Sequence, residues 1–119
     1  MKKIVFVSGV ARSGTSALVN VLNTHQGFLL GMERYFYLIK KETLTESHFK
    51  RARFLSVEEG DTHGKGLNSN RLQHAFENAE FIGDKFPLLF QHFDYILKTF
   101  PQARHIYIVR NPLSVVESY

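Results

Sequence analysis

A glycine-bounded loop between an apolar segment and a helical segment constrains this chain more than any other feature. Residues 9–16 read Gly-Val-Ala-Arg-Ser-Gly-Thr-Ser. The preceding run, Lys2–Gly9, is rich in β-branched and aromatic residues and predicts a buried parallel strand. The following run, Ser16–Asn23, has apolar residues at helical spacing and predicts a helix. The chain therefore begins with a strand, a loop and a helix.

The rest of the chain continues this alternation. Thr24–Met32 is expected to be irregular because it contains two glycines, and Val57–Asn70 is expected to be a mobile loop. Further strands are predicted at Phe81–Asp84 and His105–Val109. Helices are predicted at Glu33–Lys41, from a Thr43/Glu46 capping box to about Leu55, at Arg71–Ala79 and from Asn111 onward. One more helix is predicted from an apolar face formed by Leu89, Phe93, Ile96, Leu97 and Phe100. Strands alternating with helices predict an α/β fold, a parallel sheet with flanking helices.

Composition narrows the class of protein. The 119 residues suffice for one domain, and 44% hydrophobic with 22% charged residues is typical of a globular chain. Cysteine is absent, which excludes disulfides, a Cys-based zinc site and a Cys nucleophile. The first apolar run is too short for a signal peptide or membrane span, so we expect a cytoplasmic protein. Because the last predicted helix has barely begun, residues 1–119 are expected to be the N-terminal portion of a single larger domain.

The loop has the features of a phosphate-binding site. Its glycines let the backbone curl around an anion, and amides at the helix start point towards it. Thr15 stands where nucleoside triphosphatases carry a lysine, which disfavours ATP or GTP hydrolysis, and Arg12 supplies a cation instead. The net charge of +4 suits an anionic ligand. The alternative is a strand–helix turn that needs glycine for its geometry alone.

Three segments in this order resemble the sulfotransferases that use 3′-phosphoadenosine 5′-phosphosulfate (PAPS). GVARSGTSALVNVLNTH, Gly9–His25, is similar to their 5′-phosphosulfate loop, and IYIVRNPLSVVESY, Ile106–Tyr119, to their 3′-phosphate signature. GDKFP, Gly83–Pro87, is similar to their lysine-bearing strand end. The resemblance implies a fold like that of P-loop nucleoside triphosphate hydrolases, PAPS as sulfuryl donor and a hydroxyl acceptor. Ligands of open α/β sheets lie beyond the carboxyl ends of the strands, where Arg12, Lys85 and Arg110 are predicted to converge.

The resemblance also implies roles for individual residues. The catalytic residues would be Glu33, Lys85 and Arg12. Lys85 would offset charge on the sulfuryl group or leaving oxygen, and Arg12, with the loop amides, would hold the 5′-phosphate and the sulfuryl oxygens. The 5′-phosphosulfate would be held by Arg12, Ser13, Gly14, Thr15 and Ser16, and the 3′-phosphate by Arg110 and Ser118. Some cytosolic members have a histidine base two residues after the lysine, where this chain has Pro87. Glu33 matches the glutamate base of the tyrosylprotein and glycan-type members.

Other interpretations remain open at this point. Glu33 could instead begin a helix, Lys85 could be a solvated strand-end residue, and Tyr35–Tyr37 is given no site role. The six histidines lack metal-ligand spacing, so no metal is predicted, and the Lys50, Arg51 and Arg53 stretch is interpreted as a solvated helix face. Rival functions are a degenerate P-loop nucleotide-binding or kinase-like protein and an inactive sulfotransferase fragment. A nucleic-acid or membrane partner is not expected, and the acceptor could be a small molecule, a glycan or a protein tyrosine.

Overall fold

The computed structural model describes residues 2–9, 14–56, 58–61 and 69–109, with the backbone alone at 69–71. The strands are β1 (Lys3–Gly9), β2 (Phe28–Met32), β3 (Phe81–Lys85) and β4 (Arg104–Ile108). The α-helices are α1 (Thr15–Asn23), α2 (Phe36–Lys40), α3 (Arg51–Phe54), α4 (Ser69–Asn78) and α5 (Phe93–Thr99), and short 3-10 helices cover Glu46–Phe49 and Leu89–His92. Within this part of the chain, no helix is long and apolar enough to cross a membrane.

The four strands form one parallel sheet in the order β2-β3-β1-β4. The predicted α/β fold with a parallel sheet and flanking helices is therefore confirmed. Strand β3 lies between β1 and β2, and Gly83 is level with Val5 on one side and Leu30 on the other. Because all strands run in the same direction, Gly9, Met32 and Lys85 lie at one edge of the sheet, the carboxyl edge.

The expectation that Thr24–Met32 is irregular is wrong, because β2 occupies its second half. Gly31 does not interrupt this strand. A Cβ atom at Gly31 would lie 3.0 Å from the carboxylate oxygen Oδ1 of Asp84, its neighbour in β3. The glycine therefore makes room for a buried side chain on the adjacent strand, a function that its own sequence neighbourhood does not reveal.

Several predicted helices are shorter than expected. The segment from Thr43 to Leu55 is a 3-10 helix followed by α3, and its capping box is formed by Thr45 and His48 rather than by Thr43 and Glu46. Lys50 separates the two pieces because its backbone is extended. The predicted helix at Glu33 begins only at Phe36. On the face that begins at Leu89, Leu97 is exposed rather than buried.

The core has two parts, one on each face of the sheet. Val5 and Val7 of β1 pack with Val19 of α1 and Leu30 of β2. Phe6, which points to the opposite face, belongs to a larger aromatic cluster. Phe6, Phe49 and Phe100 make edge-to-face contacts within it, with ring centroids 5.1–5.8 Å apart. The alternation of Val5, Phe6 and Val7 places apolar side chains on both faces, as expected for a central strand covered on both sides.

Two predicted elements fall largely or wholly outside the described residues. The loop expected over Val57–Asn70 is described only at 58–61 and in the first residues of α4. The helix expected from Asn111 is not described at all. Both remain predictions.

Candidate functional site at the carboxyl edge of the sheet

The glycine loop ends at Gly14, which begins helix α1. Gly14 has the left-handed φ of 101°, and its carbonyl oxygen accepts the N–H of Leu18 at 3.0 Å as the first turn of the helix. Thr15 is buried at the helix start. The described end of this loop is therefore a helix N-terminus at the carboxyl edge, where backbone N–H groups favour an anion. Arg12 and Ser13 lie outside the described residues.

Lys85 is the last residue of β3 and is buried on the α1 side of the sheet. Only 6% of its side chain is exposed. Its Nζ donates a hydrogen bond to the hydroxyl Oγ of Ser16 at 3.0 Å. The interpretation of Lys85 as a solvated strand-end residue is therefore wrong. A buried ammonium held at the start of a helix is suited to an anionic ligand that completes its hydrogen bonds.

Glu33 faces Lys85 from the turn that follows β2. Its carboxylate Oε2 lies 3.9 Å from Lys85 Nζ, and 44% of its side chain is exposed. Its backbone N–H donates to the carbonyl oxygen of Lys85 at 2.8 Å. Glu33 has a φ of 57°, in the left-handed region, so it does not begin a helix. A non-glycine residue held in this conformation is strained.

The structure brings together three of the residues that the sequence singled out, namely Ser16, Glu33 and Lys85. Gly14 and Thr15 adjoin Ser16 at the start of α1. Arg110 and Ser118, like Arg12 and Ser13, lie outside the described residues, so their predicted roles are not tested. The cluster combines a buried ammonium with a hydroxyl group at hydrogen-bond distance and an exposed carboxylate at ion-pair distance from it.

Sequence reasoning missed Asp84, which is completely buried next to Lys85. Its carboxylate accepts backbone N–H groups from Arg34, Tyr35 and Lys85 at 2.8–3.0 Å. Burial raises the pKa of Asp84 to about 6, although these backbone hydrogen bonds act to lower it. An acidic residue directly after the apolar start of a predicted strand was the available signal, because carboxylates are rarely buried without a specific partner.

The aromatic run after Glu33 is only partly core. Tyr35 is buried, and its hydroxyl donates to the carbonyl oxygen of His48 at 2.8 Å. Phe36 is 39% exposed and contacts Phe86, with ring centroids 5.0 Å apart. These two phenylalanines line an open cavity of about 270 Å³, together with Lys40, Leu88, Gln91 and His92. No site role is assigned to the cavity.

The basic stretch after the first 3-10 helix is largely neutralised by neighbouring carboxylates. Arg51 pairs with Glu77 at 2.6 Å, and Arg53 pairs with Asp61 at 2.8 Å. Arg53 is mostly buried, with 17% of its side chain exposed, so the stretch is not a uniformly solvated face. In the described ranges, no group of three or more His, Asp or Glu residues is arranged to hold a metal ion.

Comparison with known proteins agrees with this geometry. The sequence model that describes the sulfotransferase family matches residues 5–119, nearly the whole chain. No curated protein matches the chain. The matched range contains the glycine loop, the Glu33 turn and the strand end that carries Lys85, and the four-stranded parallel sheet fits the P-loop-like fold of this family. The chain therefore belongs to the sulfotransferase family.

Proposed function

We propose that this protein transfers a sulfuryl group from PAPS to a hydroxyl acceptor at the carboxyl edge of its sheet. The observation that carries the proposal is the contact of the buried Lys85 ammonium with Ser16 at the start of α1, with the Glu33 carboxylate 3.9 Å away. The proposal is supported by a cation and a carboxylate near the N-terminus of α1, whose backbone N–H groups favour an anion. Sulfuryl transfer needs these three components.

The residues of the site fit an anionic donor. Lys85 and Ser16 offer an ammonium and a hydroxyl group next to the N-terminus of α1. PAPS supplies an activated sulfuryl group whose bond to the 5′-phosphate oxygen breaks on transfer, with adenosine 3′,5′-bisphosphate as the leaving group.

Lys85 stabilises charge during the reaction. Its Nζ, buried beside Ser16, would donate to the sulfuryl or leaving oxygen, where negative charge increases in the transition state. Arg12 and the N–H groups of Ser13 and Gly14 would hold the 5′-phosphate, with Thr15 and Ser16 adding hydroxyl groups. Arg110 and Ser118 would bind the 3′-phosphate. These residues orient the donor for in-line attack, which is the main source of catalysis in transfers of this type.

Glu33 would accept the proton of the acceptor hydroxyl. The new bond joins the acceptor oxygen to sulfur, and the proton passes to a Glu33 carboxylate oxygen. The exposed fraction of the Glu33 side chain, 44%, leaves this carboxylate open to an acceptor from solvent. Its backbone hydrogen bond to Lys85 fixes the base relative to the ammonium. A small alcohol or phenol, a glycan hydroxyl or a protein tyrosine can each supply such a proton.

Calorimetric titration tests the donor site. We expect adenosine 3′,5′-bisphosphate to bind more tightly than ADP, because only the bisphosphate has a 3′-phosphate for Arg110 and Ser118. The Arg110→Ala variant should lose this preference, whereas the control Arg104→Ala, at the opposite end of β4, should keep it. Equal affinity for both nucleotides would favour a generic P-loop nucleotide-binding protein. Absence of binding would contradict a donor site in this chain.

A further inference from the structure

The buried carboxylate of Asp84 joins two segments that are far apart in sequence. It accepts the N–H groups of Arg34 and Tyr35, in the turn after β2, at 3.0 and 2.8 Å. It also accepts the N–H of Lys85, in its own strand, at 2.9 Å. Adjacent backbone N–H groups that converge on one anion form a well-defined anion-binding concavity. Here that anion is a side chain of the protein itself.

The same turn carries Glu33. The N–H of Glu33 donates to the carbonyl oxygen of Lys85, and the next two N–H groups donate to Asp84. Three consecutive residues of the turn therefore donate hydrogen bonds from their backbone to two consecutive residues of β3. We name this set of bonds between residues 33–35 and 84–85 the Asp84 clamp. It holds Glu33 in its left-handed conformation, which a free chain would rarely adopt.

The surrounding structure is adapted to the clamp. Gly31 lies opposite Asp84 in the neighbouring strand, and a Cβ atom there would approach Asp84 Oδ1 to 3.0 Å. Because successive residues of a strand point to opposite faces, Asp84 lies on the face with the aromatic cluster and Lys85 on the face with α1. The clamp thus secures the turn from one side of the sheet, and the Glu33–Lys85 contact forms on the other.

We propose that Asp84 is a positioning residue for the reaction, which fixes the turn that bears the base against the strand that bears the lysine. This inference rests on the proposed function. A buried carboxylate is costly, and an apolar residue would serve the core better if stability were all that the position required. The Asp84 carboxylate has two oxygens that accept hydrogen bonds from three N–H groups. An asparagine would have one acceptor oxygen, and its NH₂ group would face N–H groups that are themselves donors.

Asp84→Asn tests the proposal through catalysis. The matched control is Ile82→Ala, which removes buried volume from the same strand and the same face without removing any hydrogen bond of the clamp. At equal concentrations of folded protein, we expect kcat for sulfuryl transfer to fall about 10²-fold in Asp84→Asn and to change little in Ile82→Ala. The affinity for adenosine 3′,5′-bisphosphate should be unchanged in both. Equal losses of kcat in the two variants would overturn the proposal.

A second variant covers the case in which Asp84→Asn does not fold. Gly31→Ala keeps the carboxylate and its charge but places a methyl group 3.0 Å from both Asp84 Oδ1 and the Cβ atom of Arg34, so it pushes on the two segments that the clamp joins. We expect it to lower kcat more than Ile82→Ala does, again without loss of bisphosphate affinity. A Gly31→Ala protein with the wild-type kcat would count against the clamp.

Amide hydrogen exchange supplies a readout that does not depend on activity. In the wild type, the N–H groups of Arg34 and Tyr35 should be protected, although they lie in a turn. Protection of these two amides should be lost in Asp84→Asn. In Ile82→Ala it should fall only as far as the lower global stability reduces the protection of all amides. Unprotected amides in the wild type would overturn the clamp itself. Protected amides in a protein that transfers no sulfuryl group would overturn the proposed function and leave the clamp in place.

Discussion

At the scale of single residues, the proposed site depends on Lys85, whose side chain is buried but lies next to the partly exposed carboxylate of Glu33. Among the residues that the structure describes, the Lys85 ammonium donates to Ser16 and lies 3.9 Å from one carboxylate, that of Glu33. An ammonium group can donate three hydrogen bonds, so donors are available for the oxygens of a bound anion. We infer that the energetic cost of burying this charge is recovered when an anionic donor binds.

Replacing Lys85 with methionine tests this inference. Lys85→Met keeps most of the length of the side chain and removes its charge, so we expect kcat for sulfuryl transfer to fall about 10²–10³-fold. The control is Lys98→Met, which removes an exposed lysine from α5 and should leave kcat unchanged. Both rates are measured with PAPS at saturation. A Lys85→Met protein as fast as the control would exclude this lysine from the reaction.

At the scale of elements, strand β3 determines whether the site can form. It lies between β1 and β2, and its residue Gly83 has no room for a side chain: a Cβ atom there would lie 1.7 Å from the carbonyl oxygen of Val5. Strand β1 would have to move to accommodate it. Movement of β1 would also displace the glycine loop, which begins where this strand ends.

Gly83→Ala should therefore be among the most destabilising small substitutions in the sheet. We expect it to lower the free energy of unfolding by about 3 kcal/mol or more, because the clash is with backbone rather than with a movable side chain. In comparison, a Cβ atom at Gly14 would meet no atom of the described residues within 4 Å, and Gly14→Ala adds backbone strain of about 1–2 kcal/mol at its left-handed φ. Urea denaturation measures both. A Gly83→Ala protein as stable as Gly14→Ala would show that the β1–β3 register is wrong.

A second element-scale feature is an ion-pair network around Asp61, formed with Arg34, Arg53 and Tyr37. The Asp61 carboxylate is inaccessible to solvent and accepts hydrogen bonds from Arg53 at 2.8 and 2.9 Å and from the Tyr37 hydroxyl at 2.6 Å. Burial raises the pKa of Asp61, but the hydrogen bonds from Arg53 and Tyr37 outweigh it and lower the pKa to about 2. The network ties the segment at 58–61 to α2 and α3.

The Asp61 network predicts a specific loss of stability in acid. Because the folded-state pKa lies below the ordinary value of 3.8, the carboxylate stabilises the fold above about pH 4. This contribution, about 2 kcal/mol, is lost as the pH falls from about 4 to 2. Asp61→Asn should lack this part of the acid transition in urea unfolding curves, whereas Glu77→Gln, which removes an exposed carboxylate, should retain it. Identical acid transitions in wild type and Asp61→Asn would contradict the network.

At the scale of the whole molecule, local patterns sufficed to predict the strands that carry the site. The apolar runs at β1, β3 and β4 end beside Gly9, Lys85 and Val109, and the parallel arrangement that follows from strand–helix alternation places these ends at one edge. The proximity of Glu33 to Lys85 was expected only from the family resemblance. The structure adds the backbone bond between them, which no spacing in the sequence indicates.

Strand β2 and the Asp84 clamp could not be predicted because they depend on contacts between distant segments. From the local sequence, Gly31 predicts an interruption of regular secondary structure. In the sheet, however, it leaves space for Asp84, which lies 53 residues later in the chain. The 3-10 helix at Glu46–Phe49 has a similar cause, since buried Phe49 packs in the aromatic cluster while the next residue, Lys50, is extended. Tertiary packing overrides local propensity at both places.

The central claim is that Glu33 is the base of a sulfuryl transfer at this edge, and one rate comparison tests it most directly. Transfer of radiolabelled sulfur from PAPS is measured for wild type, Glu33→Gln and the control Glu80→Gln, which changes an exposed carboxylate before β3. The acceptors are 4-nitrophenol, a tyrosine-containing peptide and N-acetylglucosamine. We predict transfer to at least one acceptor, a rate about 10²–10⁴-fold lower in Glu33→Gln, and wild-type rates in Glu80→Gln. Equal rates in all three proteins, or no transfer by the wild type, would contradict the claim.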